Sequence, residues 1–113
     1  MEEKMKVVKV QDVQPDNRPD IIFKTIFGGG DNGEVKMGIA VFPPGARVPA
    51  QSSGAHTADE YSFVIKGSIL VMSGGREQRL MAQEASFIPA GEEHWAFNDS
   101  DSDCELIWSL IEK

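Results

Sequence analysis

The chain contains two histidines, His56 and His94, and each stands in a patterned neighbourhood. His56 opens His56-Thr57-Ala58-Asp59-Glu60, and six further residues lead to Gly67, so the stretch reads H-x-x-x-E-x-x-x-x-x-x-G. His94 lies in Pro89-Ala90-Gly91-Glu92-Glu93-His94-Trp95-Ala96-Phe97-Asn98, which reads P-x-G-x-x-H-x-x-x-N. Imidazole nitrogens and carboxylate oxygens are ligand atoms for divalent transition metals, so these residue types can do metal chemistry. Other chemistries fit less well. Asp99, Asp101 and Asp103 alternate like the acids of a calcium loop, but Cys104 and Leu110 stand where such a loop needs Gly and Glu, so the run reads as a solvated turn. Gly28-Gly29-Gly30 is followed by neither a helix nor a Lys-Ser/Thr pair, so it is no phosphate loop. Cys104 has apolar neighbours and no basic setting that would activate a thiol, and it reads as a small core residue.

The elements that must position these residues read as strands. Lys6 to Val10 is β-prone, Ile21 to Phe27 is a second such run, and the turn-forming Gly28-Gly29-Gly30-Asp31-Asn32-Gly33 breaks it. Val35, Met37, Ile39 and Val41 then alternate along one face until Pro43-Pro44-Gly45. Further short runs cover 61–66, 68–72, 76–81, 85–88, 94–97 and 105–111, with Gly67 as a bend or bulge and Ser73-Gly74-Gly75 as a hairpin turn. The segment 14–19 reads as a loop or edge lead-in. About nine short strands separated by Gly, Pro, Asn and Asp turns, with no window of helical period, predict an all-β sandwich or barrel.

The two histidine patterns resemble the two motifs of the cupin superfamily, and the resemblance covers roughly residues 35–111. It implies an antiparallel β-barrel of jelly-roll type, with 1–20 as lead-in and edge strand and 35–111 as the motif-bearing barrel of one domain spanning 1–113. It also implies a ligand set. The first motif of the family supplies two histidines and a glutamate, and the second supplies one histidine; His56, Glu60 and His94 match three of these four positions. Counting back from Glu60 puts the remaining histidine position on Gly54, which cannot ligate. Counting forward from Gly45 puts it on Gln51, with Ser53 next, so the loop 49–55 is expected to carry an insertion and Gln51 is the candidate fourth ligand. In the second motif Gln83 replaces the leading glycine. A flat strand would hold residues 56 and 60 about 13 Å apart, far too long for two bonds of about 2.1 Å to one ion, so a bend at Thr57-Ala58-Asp59 is required, with His56 ending one strand and Glu60 beginning the next. Glu60, Ser62 and Val64 then share the inner face, and Tyr61, Phe63 and Ile65 point away. His94, Ala96 and Asn98 likewise share a face.

The function this implies is that of a small metal-binding cupin acting on a small organic molecule. Its cofactor is a divalent transition metal such as Fe, Mn, Ni or Zn, and its chemistry is that of a dioxygenase, lyase, decarboxylase or isomerase. A non-catalytic binding or sensing barrel, with or without metal, is the other reading. The chain has 113 residues and a net charge of −7, from 18 acidic and 11 basic residues, which disfavours nucleic acid and anionic membranes as partners. No stretch approaches the roughly 18–20 apolar residues of a membrane span. The residues from Met1 to Lys6 include no apolar run of the secretory kind, and a single cysteine fits a reducing compartment, so a cytoplasmic location is expected. A homodimer is expected too, with the apolar edge 7–10 covered by a partner.

Overall fold

A computed structural model describes residues 4–28 and 34–112. The expected turn at 29–33 therefore lies outside the described residues. Nine strands follow one another in the chain: β1 (Ile22–Phe27), β2 (Val35–Phe42), β3 (Arg47–Val48), β4 (Ala58–Lys66), β5 (Ser68–Ser73), β6 (Arg76–Met81), β7 (Ala85–Ile88), β8 (His94–Phe97) and β9 (Cys104–Glu112). They form one five-stranded sheet, β1-β2-β9-β4-β7, and one four-stranded sheet, β3-β8-β5-β6. Every pairing is antiparallel. This is the all-β jelly roll expected from the strand count and the turn spacing. The sheets face one another as two layers rather than joining into one closed hydrogen-bonded ring.

Two expectations need correction. Lys6 to Val10 forms no strand: residues 4–9 have no regular structure, and Val10–Asp12 make a single 3-10 turn. β-propensity forms a strand only where a partner edge supplies the ladder. Here the contact to β1 is instead a side-chain one, with Lys24 Nζ donating to the Val10 carbonyl at 3.0 Å, and Val7 stays 81% exposed. Conversely, β3 falls where the sequence pattern predicts no strand. It is two residues long, too short for any period to show, and it exists because Arg47 and Val48 pair with Phe97 and Ala96 of β8.

The core lies between the layers. Val64, Ile69 and Cys104 are fully enclosed, with Phe42, Leu106 and Trp108 packed beside them. Burial pushes the Cys104 thiol up to about 11, so it stays protonated and serves as a small apolar filler. Asn98 is also fully buried and is a polar hub. Its Nδ2 donates to the carbonyls of Phe42 and Ser102 at 2.8 Å each, and its Oδ1 accepts from Ser100 N at 3.0 Å and Ser100 Oγ at 2.7 Å. On the surface, Arg79 of β6 grips Asp99 through two bonds of 2.7 Å and so holds that carboxyl below its ordinary range.

Turn conformations carry the strand order. Gly67 sits at φ +81° between β4 and β5, where an added Cβ would meet the Asp103 carbonyl; the ladder irregularity lies just before it, between Val64 and Lys66. Gln83 adopts φ +74° in the turn between β6 and β7. Its backbone N–H donates to the Val64 carbonyl at 2.8 Å, which locks the turn against β4 and holds a non-glycine residue in the left-handed region. Gln83→Gly should therefore stabilise the fold by about 0.5–1 kcal/mol, measured as a shift in the urea midpoint at constant slope. A loss of stability would mean that the side chain, and not the backbone, holds this turn.

Candidate functional site

A cavity of about 280 Å³ opens between the layers. The alternation of β4 sets one wall: Glu60, Ser62 and Val64 face the cavity, while Tyr61, Phe63 and Ile65 stand on the outside with at least a third of their surface exposed. Tyr61 packs on Phe87 outside and takes no part in the site. The opposite wall includes His94 and Ala96, from the start of β8.

His56 reaches the same place by a different route from the expected one. It ends no strand. β4 begins at Ala58, so Asp59 and Glu60 are already in the ladder, and the chain turns at Thr57. His56 stands in the connection, held by its own carbonyl, which accepts from Gly91 N at 2.8 Å. That bond ties the His56 connection to the turn that launches His94.

The result is a close group. His56 Nε2 lies 3.3 Å from Glu60 Oε1, and His94 Nε2 lies 3.8 Å from the same oxygen. One ligand atom from each of the three residues lies within 4.8 Å of the others. The imidazoles meet edge to face, with ring centroids 4.6 Å apart. Bonds of about 2.1 Å at tetrahedral or octahedral angles separate neighbouring ligand atoms by about 3.0–3.4 Å, so the group fits a single ion with small adjustment. The donor set, two imidazoles and a carboxylate, suits a transition metal. Hydrogen bonds prepare it. His94 Nδ1 lies 2.9 Å from the Glu92 carbonyl; a carbonyl can only accept, so Nδ1 carries the proton and Nε2 presents its lone pair. Ser62 Oγ donates to Glu60 Oε2 at 3.5 Å, leaving Oε1 toward the histidines.

The remaining sequence candidates separate here. Gln51 is exposed and is not part of the cavity wall. Ser53 points to Glu93, with Oγ 3.4 Å from its carboxylate. Register explains why. Val48 pairs with Ala96, so a regular ladder would bring Ala50 opposite His94. Gly54 takes that place instead, exchanging both backbone bonds with His94 at 3.0 and 2.8 Å, so four extra residues are looped out. Gln51 lies in this looped-out segment. Two hydrophilic residues of the cavity wall were not foreseen. Arg18 comes from the loop before β1, where no periodicity could have flagged it, and Ser86 lies on β7 at the position paired with Ser62. Trp108 belongs both to the core and to the cavity wall.

A family model described as the cupin domain matches residues 38–110. Among solved structures, a predicted oxalate decarboxylase from Thermotoga maritima superposes with a TM-score of 0.84 at 17% identity, covering 96% of this chain and 100% of that one. An RmlC-like cupin from Shewanella frigidimarina gives 0.79 at 20% identity, over 100% and 96% of the two chains. The cupin domain of an XRE family transcriptional regulator from Enterobacter cloacae gives 0.72 at 15% identity, over 84% and 99%. No curated protein sequence matches the chain.

Residues opposite each other in an antiparallel bridge share a face, so a side chain at position 54 would project beside His94. A Cβ there meets only Pro49 Cγ, at 3.8 Å. Gly54→His is thus expected to add a third imidazole to the group and to tighten Zn²⁺ binding by at least about tenfold in a competition titration. An unchanged affinity would show that position 54 does not project toward the site.

Proposed function

Because the chain belongs to the cupin-domain family, we propose that it binds one divalent transition metal, Fe, Mn, Ni or Zn, through His56, Glu60 and His94. Around that ion it acts on a small organic molecule held in the cavity. The observation that carries this reading is the convergence of both imidazoles on one oxygen of Glu60. A bound ion of this kind supplies Lewis acidity toward a carboxylate, carbonyl or enolate oxygen, or activates oxygen. The chain's own residues do the rest. His94 is fixed in its ligating tautomer by Glu92, Ser62 steadies the Glu60 carboxylate, and small Ala96 leaves room beside the group. The apolar wall, with Ile69, Val71 and Leu106, keeps bulk water from the reacting centre. Dioxygenation, decarboxylation, isomerisation and lyase chemistry all suit such a site, and the name of the Thermotoga relative favours decarboxylation among them.

A second reading has its own support. Counting back from Glu60 puts the family's remaining ligand position on Gly54, which cannot ligate, and one structural neighbour is the cupin domain of a transcriptional regulator. Both favour a binding or sensing barrel without turnover. Either protein would be cytoplasmic, for which the unpaired Cys104 is the support. Among the described residues no helix is long and apolar enough to cross a membrane.

Elemental analysis of freshly purified protein tests the first reading: one transition-metal ion per chain is expected. His94→Ala should lose that ion while keeping the melting profile of the chelator-stripped wild type, because the core does not depend on the side chain. Metal retained by His94→Ala would refute the ligand set, and a ligand bound equally well before and after chelation would favour the sensor.

The proposal also includes a homodimer, but through a face and not through the edge 7–10. The outer face of the five-stranded sheet carries Ile22, Val35, Tyr61, Phe63, Phe87 and Ile111, each 36–52% exposed. Six large apolar residues exposed on one sheet face form a patch of the kind that self-association covers. A chain of net charge −7 meets its copy most readily through an uncharged patch. Light scattering should give twice 12.4 kDa, and Phe63→Lys combined with Phe87→Lys should give the monomer. A wild-type mass of one chain at every concentration would sink the dimer.

A further inference from the structure

We propose that the cavity selects a small organic acid, and that Arg18 is the residue that selects it by pairing with the acid's carboxylate. This rests on reading the cavity as a small-molecule site, but not on a metal being present.

The loop before β1 brings Arg18 to the cavity wall, where it is the one lysine or arginine among the described residues. The guanidinium lies over Phe23, with Cζ 5.1 Å from the ring centroid, and Phe23 stacks on Trp108 with centroids 4.7 Å apart and planes 11° apart. The cation is thus held against an aromatic pair. Among the described residues its one ion pair is loose, Nε to Asp20 Oδ1 at 3.8 Å, beyond hydrogen-bond reach. Arg79 and Asp99 show what a closed pair looks like in this protein, with two bonds of 2.7 Å. Arg18 makes no such bond to any described residue, so its terminal nitrogens keep their donors for a partner. A planar fork of donors matches a carboxylate in two-bond geometry.

The rest of the wall agrees. Trp108, stacked on Phe23, also lines the cavity, so its indole resonance reports on what enters. Ser62 and Ser86 add hydroxyls, whereas Ile21, Phe42 and Leu106 suit an apolar body. A volume of about 280 Å³ is at the lower end of small-molecule pockets, so the acid is a small one. In the metal-free chain Glu60 repels an anion, which leaves Arg18, the one lysine or arginine of the cavity wall among the described residues, to attract a carboxylate.

Matched acids and amides of nearly equal shape test this: benzoate against benzamide, and hexanoate against hexanamide. Each is titrated into the full chain, first stripped by chelator and then loaded with Zn²⁺, following the indole N–H resonance of Trp108. The acids should bind at least about tenfold more tightly than the amides. Arg18→Gln should erase that preference, and Arg18→Lys should restore part of it, because charge returns without the fork. Acids and amides bound alike by the wild type would overturn the proposal. So would a preference that survives Arg18→Gln in the stripped chain, or no acid binding by the stripped wild type up to about 10 mM. The zinc titration reads the metal separately. Acid selection with no zinc bound leaves this inference standing and removes the metal reading. Zinc binding without acid selection does the reverse.

Discussion

One carboxylate oxygen, Glu60 Oε1, is shared by two imidazoles from distant parts of the chain, and the sharing depends on the register of β4. β4 is paired on both edges. Glu60 faces Leu110 of β9 on one side and Ile88 of β7 on the other. A slip of one residue would turn Glu60 out to solvent and bring Tyr61 into the cavity, because side chains alternate with a period of two. Two neighbouring ladders make that slip costly. The histidines need no strand as rigid as β4, because each is tied by backbone bonds to the other's loop. His56 is bound to Gly91, and His94 is bound to Gly54.

This division explains what can be read in the sequence. The inward set Glu60, Ser62, Val64 and the outward set Tyr61, Phe63, Ile65 follow from parity alone, and the structure has both. The position of His56 follows from spacing only as far as the need for a bend. Whether the bend lies before or within β4 depends on where β9 ends, and Ala58 is already paired with Glu112. The fourth position shows the limit of counting. Two counts, from Gly45 and from Glu60, disagree, and only the ladder beside His94 separates them, since a looped-out segment leaves no periodic trace. The lead-in misleads for a related reason: Lys6 to Val10 has strand composition but no edge to join, and pairing is a tertiary fact.

Motif letters also divide into ligands and geometry. Asn98 closes the second histidine pattern, yet it is no part of the cavity wall. It is a buried hub that ties the end of β8 to Phe42 of β2 and to the turn before β9. Gln83 stands where the family pattern has glycine, and it keeps the glycine's backbone conformation at φ +74°. A departure in sequence there is no departure in structure, whereas Gly54 departs in chemistry while keeping its place in the ladder. Which departure matters depends on whether the position acts through its side chain or its backbone.

The five-stranded sheet is apolar on both faces, and that blurs the alternation that otherwise marks a half-buried strand. Ile107, Trp108, Leu110 and Ile111 follow one another along β9 with only Ser109 between. Trp108 and Leu110 line the cavity, and Ile111 is exposed on the outside. A run of this kind signals a strand covered on two sides. Inside, the cover is the second sheet. Outside, the described residues leave it exposed, so the same strands that aim Glu60 inward present an apolar surface. In the proposed dimer, site and interface are two faces of one ladder. A slip of β4 would turn both faces over together, because backbone pairing alone sets which side chains point inward.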